Sequence, residues 1–463
     1  MLYSGRVFAG AGEQLRSAVK PTPELKNSAI PAVRFPRYPE TTWTVMNLST
    51  NHQSQGLNRR EFMKQASATG AGTALAMASE TQVSLLAAPD RTDVPGDEIQ
   101  TPVKTVPLAP PDKQSPSLVL PELVERKVGW AIVGLGQLSL EEILPAFSQC
   151  RLTQPVALVS GHPDKARLLA KAYGVKENAI LDYDSFDSMV ENKEIEVVYI
   201  VLPNSMHAEF TIRALQAGKH VICEKPMAAS VEECHQMIAA AEKANRKLMI
   251  AYRLHYEPLN RKVMEMCSAQ ALGKIKLFSS SNCQNVQAPN IRLSTKTAGG
   301  PVGDVGVYSI NAARYVIGEE PVDVYAVEHR PAEDPRFAEV PESVAFVLRY
   351  PSGVLAHCEC SFGTAGSQRY RAVCEDGFIE MDPAFPYRGL KLSVSRTKGS
   401  AGTPEKADIP IPQINQFAAE MDHFSECILK NKDPRTPGSM GLADMKIVTA
   451  IRESARTGGP VKI

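Results

Sequence analysis

Short apolar runs alternate with amphipathic helical patterns between residues 128 and 251. Buried strands are predicted at 129–134, 155–159, 197–201, 220–223 and 247–251, with helices before and after them that include 163–173 and 231–245. Strands joined through helices of this length pair in parallel within one sheet, since the crossover brings the chain back to the same edge. The pattern therefore predicts a doubly wound parallel sheet of the Rossmann type.

The pattern changes after Gly273, where apolar and polar residues alternate along short segments. Turn signals at Pro351-Ser352-Gly353 and Asp376-Gly377 are typical of hairpins between such segments. We expect a C-terminal α+β domain with a large open, mostly antiparallel sheet and one helix at about 303–317. Two late helices should fold back to close the structure. The alternating segments are 275–283, 322–329, 344–350, 354–362, 369–374 and 390–394, and the late helices are 414–430 and 438–457.

Residues 1–127 offer few apolar positions from which a core could form. Within them the run Asn58-Arg59-Arg60-Glu61-Phe62-Met63-Lys64 resembles a twin-arginine export signature, and a weakly apolar stretch follows it. That stretch is too short for a membrane span, so we expect no stable membrane insertion. An ordinary amphipathic helix is the alternative. We predict an export region at 1–88, read from Met1 or Met46, and a periplasmic protein after signal cleavage.

Proline is dense and aromatic residues are scarce between residues 89 and 127. Such a composition favours an extended arm of polyproline character, with a functionless linker as the alternative. The rest of the chain is long enough for two domains, which we place at 128–251 and 252–463. Of all 463 residues, 43% are hydrophobic and 22% are charged, as in a soluble protein.

Charge and cysteine usage narrow the class of partner. Lysine plus arginine equal aspartate plus glutamate, at 51 each, so the charge balance favours neither nucleic acid nor an anionic membrane surface. The nine cysteines follow no metal-ligand spacing, and an odd, irregular set argues against a disulfide framework. We therefore expect mostly buried free thiols and no metal site.

A glycine-rich turn follows the first predicted strand. Gly134-Leu135-Gly136-Gln137-Leu138-Ser139 stands between that strand and a helix, the context that a dinucleotide-binding fingerprint requires. Gly134 allows the tight turn, and Gly136 lets the backbone approach a pyrophosphate at the helix N-terminus. Ser139 replaces the third glycine of the fingerprint. We predict that Gly134, Gly136, Gln137 and Leu138 bind a dinucleotide.

The end of the second predicted strand discriminates between NAD and NADP. An NAD site holds the ribose hydroxyls with an Asp or Glu at this place, whereas this chain has the small, neutral Ser160. Lys165 and Arg167 follow within two helical turns and bring positive charge. This favours NADP as the cofactor, with Ser160 and Lys165 beside the 2′-phosphate. For both basic residues the alternative is the solvated face of their helix.

The strand at 220–223 ends in Glu224-Lys225-Pro226. Proline cannot donate to a sheet ladder, so Lys225 stands at the carboxyl end of a parallel strand, where such sheets bind ligands. The alternative is a solvated lysine in a surface loop, and chance alone produces this tripeptide in on the order of one chain in ten of this length. Further on, Asp304 and Tyr308 stand four residues apart and share a helix face.

From about residue 128 to 463 the chain resembles the Gfo/Idh/MocA oxidoreductases, most closely their glucose–fructose oxidoreductase branch. The combination of motifs is specific and covers both predicted domains. These motifs are Gly134-Leu135-Gly136, Leu202-Pro203-Asn204-Ser205-Met206-His207-Ala208-Glu209-Phe210, Ala217-Gly218-Lys219-His220-Val221, Glu224-Lys225-Pro226-Met227 and Tyr252-Arg253-Leu254-His255-Tyr256-Glu257-Pro258-Leu259-Asn260-Arg261.

The resemblance implies that a sugar hydroxyl is oxidised by hydride transfer to a nicotinamide while a base removes the proton. A phenol, with a pKa of about 10, serves as that base only beside a cation. Tyr308 is thereby given the acid–base role and Lys225 the electrostatic role, while Asp304 binds a sugar hydroxyl or orients Lys225. Tyr256 becomes a second candidate for substrate contact. The residues implied to border the cofactor are Asn204, His207, Glu224, Lys225 and Arg253.

The leading hypothesis is a periplasmic NADP-dependent sugar oxidoreductase that oxidises an aldose to its lactone. If it follows its branch, tightly bound NADP then reduces a ketose or a second aldose. A simple glucose or xylose dehydrogenase with exchangeable cofactor is one alternative, and a non-catalytic sugar- or nucleotide-binding protein is another. Retention of Lys225, Asp304 and Tyr308 together argues against the last.

Substrate choice and assembly are the least specified properties. Relatives carry a Trp-Arg pair near the sugar where this chain has Asn290-Ile291-Arg292, within a stretch, 285–300, that departs from the family pattern. The branch places its proline-rich arm over the cofactor of a neighbouring subunit. An exposed sheet face together with such an arm predicts a homodimer or homotetramer with arm exchange.

Overall fold

The computed structural model describes residues 124, 126–397 and 405–463. The predicted export region, 1–88, lies outside the described residues, and so does the predicted arm apart from residues 124, 126 and 127. In the described part of the chain, no helix combines the length and the apolarity that crossing a bilayer requires.

Six parallel strands form the first sheet, in the order β3-β2-β1-β4-β5-β6. This is the doubly wound arrangement that the alternation of apolar runs and helical patterns predicted, so that part of the fold prediction is confirmed. The strands are β1 Val128–Val133, β2 Thr153–Val159, β3 Ile180–Leu181, β4 Val197–Ile200, β5 His220–Glu224 and β6 Leu248–Ala251.

The crossovers between these strands are helical, and their ends follow from the local sequence. Pro163 opens one helix, where its missing N–H costs nothing, and Gly174 ends it in the left-handed conformation at φ +70°. The Ser230 side chain caps another by accepting from the N–H of Glu233. The helices are Pro163–Tyr173, His207–Gln216 and Val231–Ala244, and a shorter helical run, Ser139–Ile143 with Leu144–Ala146, follows β1.

Nine strands form the second sheet, in the order β14-β13-β12-β11-β7-β10-β9-β8-β15. Within the described residues β7 and β10 are its one parallel pair, so the prediction of a mostly antiparallel sheet is confirmed. The strands are β7 Ile275–Asn285, β8 Asp323–His329, β9 Ser343–Arg349, β10 Leu355–Ser361, β11 Gly363–Cys374, β12 Gly377–Met381, β13 Leu392–Arg396, β14 Glu405–Asp408 and β15 Val461–Lys462.

Among the described residues, helices cover one face of the second sheet and leave the other face exposed. The helices Val307–Ile317 and Gly438–Thr457 lie against the covered face. Along β9, buried and exposed residues alternate, as expected for a sheet with one face toward a core. The open face therefore carries exposed apolar side chains, among them Tyr325 and Val327 of β8 and Val347 of β9.

The predicted late helices, found at Gln416–Leu429 and Gly438–Thr457, return to the rest of the fold. The Asp422 carboxylate accepts from the N–H of Leu152 at 2.8 Å, and the Ser425 hydroxyl accepts from Trp130 Nε1 at 3.0 Å. Trp130 is fully buried in β1, so the first of these helices is bound directly to the core of the parallel sheet. The prediction that these helices close the structure is confirmed.

One helix, Pro258–Ser268, and four strands, β3, β12, β14 and β15, were not predicted. The helix begins with Pro258 at its first position, and the Glu257 side chain accepts from the N–H of Asn260 at 2.7 Å, a start signal that the sequence did contain. The edge strand β14 is exposed along its whole length, so no apolar alternation marks it. The expected free thiols are confirmed: all nine cysteines are unpaired, and each is buried except the half-buried Cys267.

Candidate active site

A cleft of about 760 Å³ lies at the carboxyl ends of the parallel strands. β1 lies between β2 and β4, because the chain continues from β1 to β2 on one side and later returns to β4 on the other. Open α/β sheets bind ligands at such a reversal of strand order. The second half of the chain supplies the opposite wall. Sequence-predicted residues that line the cleft are Gly134, Gly136, Gln137, Leu138, Ser160, Lys165, Asn204, Glu224, Lys225, Arg253, Asp304 and Tyr308.

The two glycines of the turn after β1 serve different needs. Gly134 has φ +91°, and a Cβ there would lie 2.2 Å from the carbonyl oxygen of Val201, so no other residue fits. A Cβ at Gly136 would meet no atom within 4 Å, because this position faces open space in the cleft. The backbone at Gly136 is thus accessible to a ligand, as a phosphate-binding turn requires.

The end of β2 is neutral, with one basic residue beside it. Ser160 is buried, and its hydroxyl accepts from the N–H of His162 at 3.1 Å. Lys165 Nζ donates to the carbonyl oxygen of Leu135 at 2.7 Å, which holds the ammonium group at the glycine turn. Arg167 instead forms an exposed ion pair with Asp164, so for Arg167 the structure supports the solvated-face alternative.

Lys225 lies at the centre of a charged cluster at the end of β5. Its Nζ donates to the backbone carbonyl of Asp304 at 2.9 Å and lies 3.3 Å from that residue's carboxylate. The same Nζ lies 4.6 Å from the centre of the Tyr308 ring, over its face. Burial lowers the pKa of Lys225, but the charges of Tyr308, Asp304 and Glu224 outweigh it, so the pKa is raised overall and the ammonium form persists.

Donors already occupy both oxygens of the Asp304 carboxylate. Arg292 Nε donates to its Oδ2 at 2.7 Å and Gln284 Nε2 donates to the same oxygen at 3.3 Å, while Lys225 occupies Oδ1. Burial raises the pKa of Asp304, yet Lys225 and Arg292 lower it more, and the net shift is downward. Of the two roles that the resemblance left open for Asp304, this geometry favours the orientation of Lys225.

Glu224 faces the cleft from behind Lys225. Its Oε1 accepts from the Tyr199 hydroxyl at 2.9 Å, and burial raises its pKa despite the positive charge of Lys225. Asn204, at the other side of the cleft, donates from Nδ2 to the carbonyl oxygen of Ala298 at 3.0 Å. This bond joins the loop after β4 to the segment that departs from the family pattern.

Arg253 contacts the hydroxyl of Tyr308. Its Nη2 lies 3.2 Å from Tyr308 Oη, and its guanidinium stacks against the rings of Tyr308 and Tyr387, 5.0 Å and 4.6 Å from their centres. Only 4% of Arg253 is exposed. The structure thus brings Lys225 to the ring face and Arg253 to the hydroxyl of the same tyrosine.

Family models match both halves of this architecture. The model of the Gfo/Idh/MocA oxidoreductase family with an NAD-binding Rossmann fold matches residues 128–252, and that of the Gfo/Idh/MocA C-terminal domain matches residues 260–380. The chain belongs to the Gfo/Idh/MocA oxidoreductases.

Solved structures and characterised members of this family resemble the chain over most of their length. An aldose-aldose oxidoreductase from Caulobacter crescentus, crystallised with glycerol, is 40% identical with a TM-score of 0.69, and the match covers 73% of this chain and all of that one. A D-xylose 1-dehydrogenase [NADP(+)] of Haloarcula marismortui is 30% identical over 73% of this chain and 94% of its own. A 3-ketoreductase from Actinomadura kijaniata, in complex with NADP and TDP-benzene, is 25% identical with a TM-score of 0.63, over 71% of this chain and 98% of that one.

Two residues that the family resemblance placed at the site lie elsewhere. Tyr256 is buried away from the cleft, where its hydroxyl shares a hydrogen bond of 3.0 Å with Thr436. His207 is fully buried, and its two ring nitrogens lie 2.8 Å and 2.9 Å from the backbone carbonyls of Pro226 and Leu202. With their polar atoms occupied inside the fold, Tyr256 cannot contact substrate and His207 cannot border the cofactor. Both assignments are corrected to structural roles.

Three residues at or behind the cleft were missed. Tyr387 lines the cleft beside Arg253, and Gln416 Oε1 accepts a hydrogen bond from that arginine. Glu420 is fully buried behind the site, and neither of its carboxylate oxygens has a hydrogen-bond partner among the residues that the structure describes. Tyr387 lies in the loop between β12 and β13, and Gln416 and Glu420 lie in the first two turns of the helix Gln416–Leu429. All three are far along the chain from Arg253, where no local pattern signals proximity to it.

Within residues 126–397 and 405–463, no three His, Cys, Asp or Glu side chains converge in a way that would hold a metal ion.

Proposed function

We propose that this protein is an NADP-dependent sugar oxidoreductase that oxidises the hydroxyl of an aldose to give a lactone. The observation that carries the proposal is the convergence of Lys225, Asp304 and Tyr308 in a cleft that also contains the glycine turn after β1. The similarity to an aldose-aldose oxidoreductase and to an NADP-dependent xylose dehydrogenase supports the substrate class.

The cleft fits a dinucleotide with a 2′-phosphate. Gly136 leaves its backbone open to a pyrophosphate, and Gly134, Gln137 and Leu138 complete the same turn. At the end of β2, Ser160 is neutral and the ammonium group of Lys165 is fixed nearby, which suits the extra phosphate of NADP. The free ribose diol of NAD would instead require a carboxylate at this place. NADP, when bound, supplies the acceptor for the hydride.

The chain's own residues accept the proton and orient the groups that react. Tyr308 Oη accepts the proton of the sugar hydroxyl as general base, and Lys225 Nζ polarises the hydroxyl oxygen. Asp304 fixes Lys225 by a charge-assisted hydrogen bond, which keeps the ammonium group directed at the reacting centre. The low exposure of Arg253 and Lys225 limits access of water, so these electrostatic interactions are stronger than they would be in bulk solvent.

Two modes of cofactor use differ in their consequences. A bound cofactor that cycles would let the same site reduce a ketose or second aldose after each oxidation, as the resemblance to the glucose–fructose oxidoreductase branch suggests. A simple dehydrogenase with exchangeable cofactor is favoured by the likeness to the D-xylose 1-dehydrogenases. We place the cycling enzyme first, because an exported protein would find little free NADP.

Export and assembly complete the proposal. The twin-arginine motif at Arg59-Arg60 supports transport of the folded, loaded protein to the periplasm. The open face of the second sheet, with exposed Tyr325 and Val327, supports association with a second copy of this chain. Cell fractionation of the wild type and of an Arg59→Lys, Arg60→Lys variant tests the first point, and sedimentation of the mature protein tests the second.

One experiment separates the modes of cofactor use. The mature protein is purified, a portion is denatured to detect released NADP, and the rest is given glucose and fructose without added nucleotide. Gluconolactone together with sorbitol supports the bound-cofactor cycle. Product that forms only after NADP or NAD is added establishes the simple dehydrogenase instead. Absence of turnover with any aldose, under conditions where nucleotide binds, would make the protein a binding protein and refute the proposal. Tyr308→Phe provides the matched inactive control.

A further inference from the structure

Arg253 is a buried cation whose hydrogen bonds all go to uncharged groups. Its guanidinium donates to the carbonyl oxygens of Phe385 at 2.5 Å and Pro386 at 3.4 Å, to the Gln416 side chain and to Tyr308 Oη. Within the described residues, no carboxylate lies within ion-pair distance of it.

Glu224 and Glu420 are the carboxylates that act on Arg253 from a longer distance, and burial raises the pKa of both. A buried guanidinium with no carboxylate in contact is costly, so the surroundings of Arg253 favour the formation of a negative charge beside it.

Tyr308 is the one ionisable group among the acceptors of hydrogen bonds from Arg253. When its hydroxyl proton leaves, a phenolate forms 3.2 Å from Nη2 of Arg253 and supplies a counter-charge in direct contact. Lys225 is placed differently, because it already has Asp304 as its counter-charge and lies over the face of the Tyr308 ring. Arg292 and Tyr387 also face Tyr308 from a longer distance. Among the described residues, Arg253 is the cation that donates a hydrogen bond to the Tyr308 hydroxyl.

We infer that Arg253 is a positioning residue that holds the Tyr308 hydroxyl and stabilises its anionic form, which leaves Lys225 free to act on the substrate oxygen. This inference rests on the proposed oxidation of a sugar hydroxyl, in which the hydroxyl proton goes to Tyr308 Oη and the hydride goes to the nicotinamide. The backbone carbonyls of Phe385 and Pro386 fix the guanidinium, so its position does not depend on substrate.

The test compares Arg253→Gln and Arg253→Lys with the wild type in aldose oxidation across pH. Loss of an opposite charge in direct contact moves a titration by about one unit or more. The pH of half-maximal rate should therefore rise by about one unit or more in Arg253→Gln and by clearly less in Arg253→Lys, which keeps a cation. Arg213→Gln, whose arginine pairs with Asp187 on the surface, is the control and should leave the profile in place.

A second measurement needs no turnover. The phenolate absorbance that depends on Tyr308 is obtained by subtracting the signal of the matching Tyr308→Phe protein, and in Arg253→Gln it should also move to higher pH. A lower rate with both titrations unchanged would mean that Arg253 is merely structural, which overturns the inference. If the wild type oxidises no sugar, the proposed function fails, yet this titration still decides the inference.

If Arg253→Gln does not fold, a comparison of the wild type with Tyr308→Phe tests the inference in its place. The free energy of unfolding is measured for the wild type and Tyr308→Phe from about pH 7 to about pH 10. Because the phenolate would compensate a buried cation, the difference between the two proteins should grow in favour of the wild type as pH rises. A difference that stays constant over this range overturns the inference.

Discussion

Lys225 Nζ lies 3.3 Å from the Asp304 carboxylate and 2.9 Å from the same residue's backbone carbonyl, so one residue fixes the lysine through two oxygens. The other carboxylate oxygen is bonded to Arg292 at 2.7 Å. Asp304 is thus shared between two cations, one at the reacting centre and one on the segment that departs from the family pattern. This arrangement links the placement of Lys225 to a segment, 285–300, that supplies part of the cleft wall.

Replacing Lys225 by methionine should abolish most of the turnover without loss of nucleotide binding. Methionine keeps the length of the side chain but loses the ammonium group that polarises the substrate oxygen, and such a contribution is worth roughly 10²–10⁴-fold in rate. Steady-state turnover and nucleotide affinity are measured side by side. Lys446→Met, at an exposed position of the helix Gly438–Thr457, is the matched control. Turnover that persists in Lys225→Met would exclude the assigned role.

Asp304→Asn should cost stability in a way that depends on pH. The unfolded carboxyl titrates at about 3.9, and Lys225 and Arg292 lower the folded pKa further, so the carboxylate's contribution is fully present above about pH 4. Removing the charge leaves two cations uncompensated, and we expect a loss of about 2–4 kcal/mol in the free energy of unfolding at neutral pH.

As pH falls below about 4, the wild type protonates Asp304 and loses that contribution, so the two proteins should converge. Denaturant unfolding at several pH values measures the difference. A loss of equal size at every pH would show that the Asn substitution perturbs packing and that the charge is not what stabilises the site.

The neutral end of β2 should decide the choice of nucleotide. Ser160→Asp places a carboxylate where a 2′-phosphate would lie, so like charges would weaken NADP binding while the carboxylate could accept from the ribose hydroxyls of NAD. We expect the ratio of NADP to NAD affinity to fall by at least about tenfold, or about 1.4 kcal/mol. Titration calorimetry with both nucleotides gives this ratio. Arg167→Ala, which breaks only the surface pair with Asp164, should leave it unchanged. An unchanged ratio in Ser160→Asp would place the ribose elsewhere.

The fold and the places of the central residues in it could be predicted because their signals are local. The change from helical spacing to two-residue alternation defined the two sheets, and Pro226 indicated that Lys225 stands where β5 ends. A spacing of four residues put Asp304 and Tyr308 on one face. These signals depend only on neighbours in the chain, whereas the meeting of Lys225 with Asp304 and Tyr308 was implied by the family resemblance.

The partners of Arg253 could not be predicted for the opposite reason. The carbonyls of Phe385 and Pro386 come from more than a hundred residues further along the chain, and backbone acceptors leave no trace in residue type. His207 shows a second limit of prediction from the sequence. Its place after β4 correctly indicated the edge of the sheet, but its ring is directed at two backbone carbonyls inside the fold, which only the packing determines.

Glu420 is a buried acid whose burial lowers the stability of the fold. In the described part of the chain, both of its oxygens lack hydrogen-bond partners. Burial, followed by the negative charge of Glu224, raises its pKa well above the usual range. The folded state therefore keeps a proton that the unfolded chain releases at about pH 4.3. Stability is accordingly lost as pH rises from about 4.3 toward the folded pKa.

Glu420→Met has a similar length and no polar atoms to desolvate, so it should be more stable than the wild type at neutral pH by about 1–3 kcal/mol. The gain should shrink as pH falls toward about 4, where the wild-type side chain is neutral in both states. Unfolding at pH values on both sides of this range gives the two slopes. Glu426→Met, on the same helix at its solvent side, is the control for helix propensity. If Glu420→Met is instead less stable at neutral pH, Glu420 contributes a favourable charge interaction, and the nearby cation of Arg253 would then be its counter-charge.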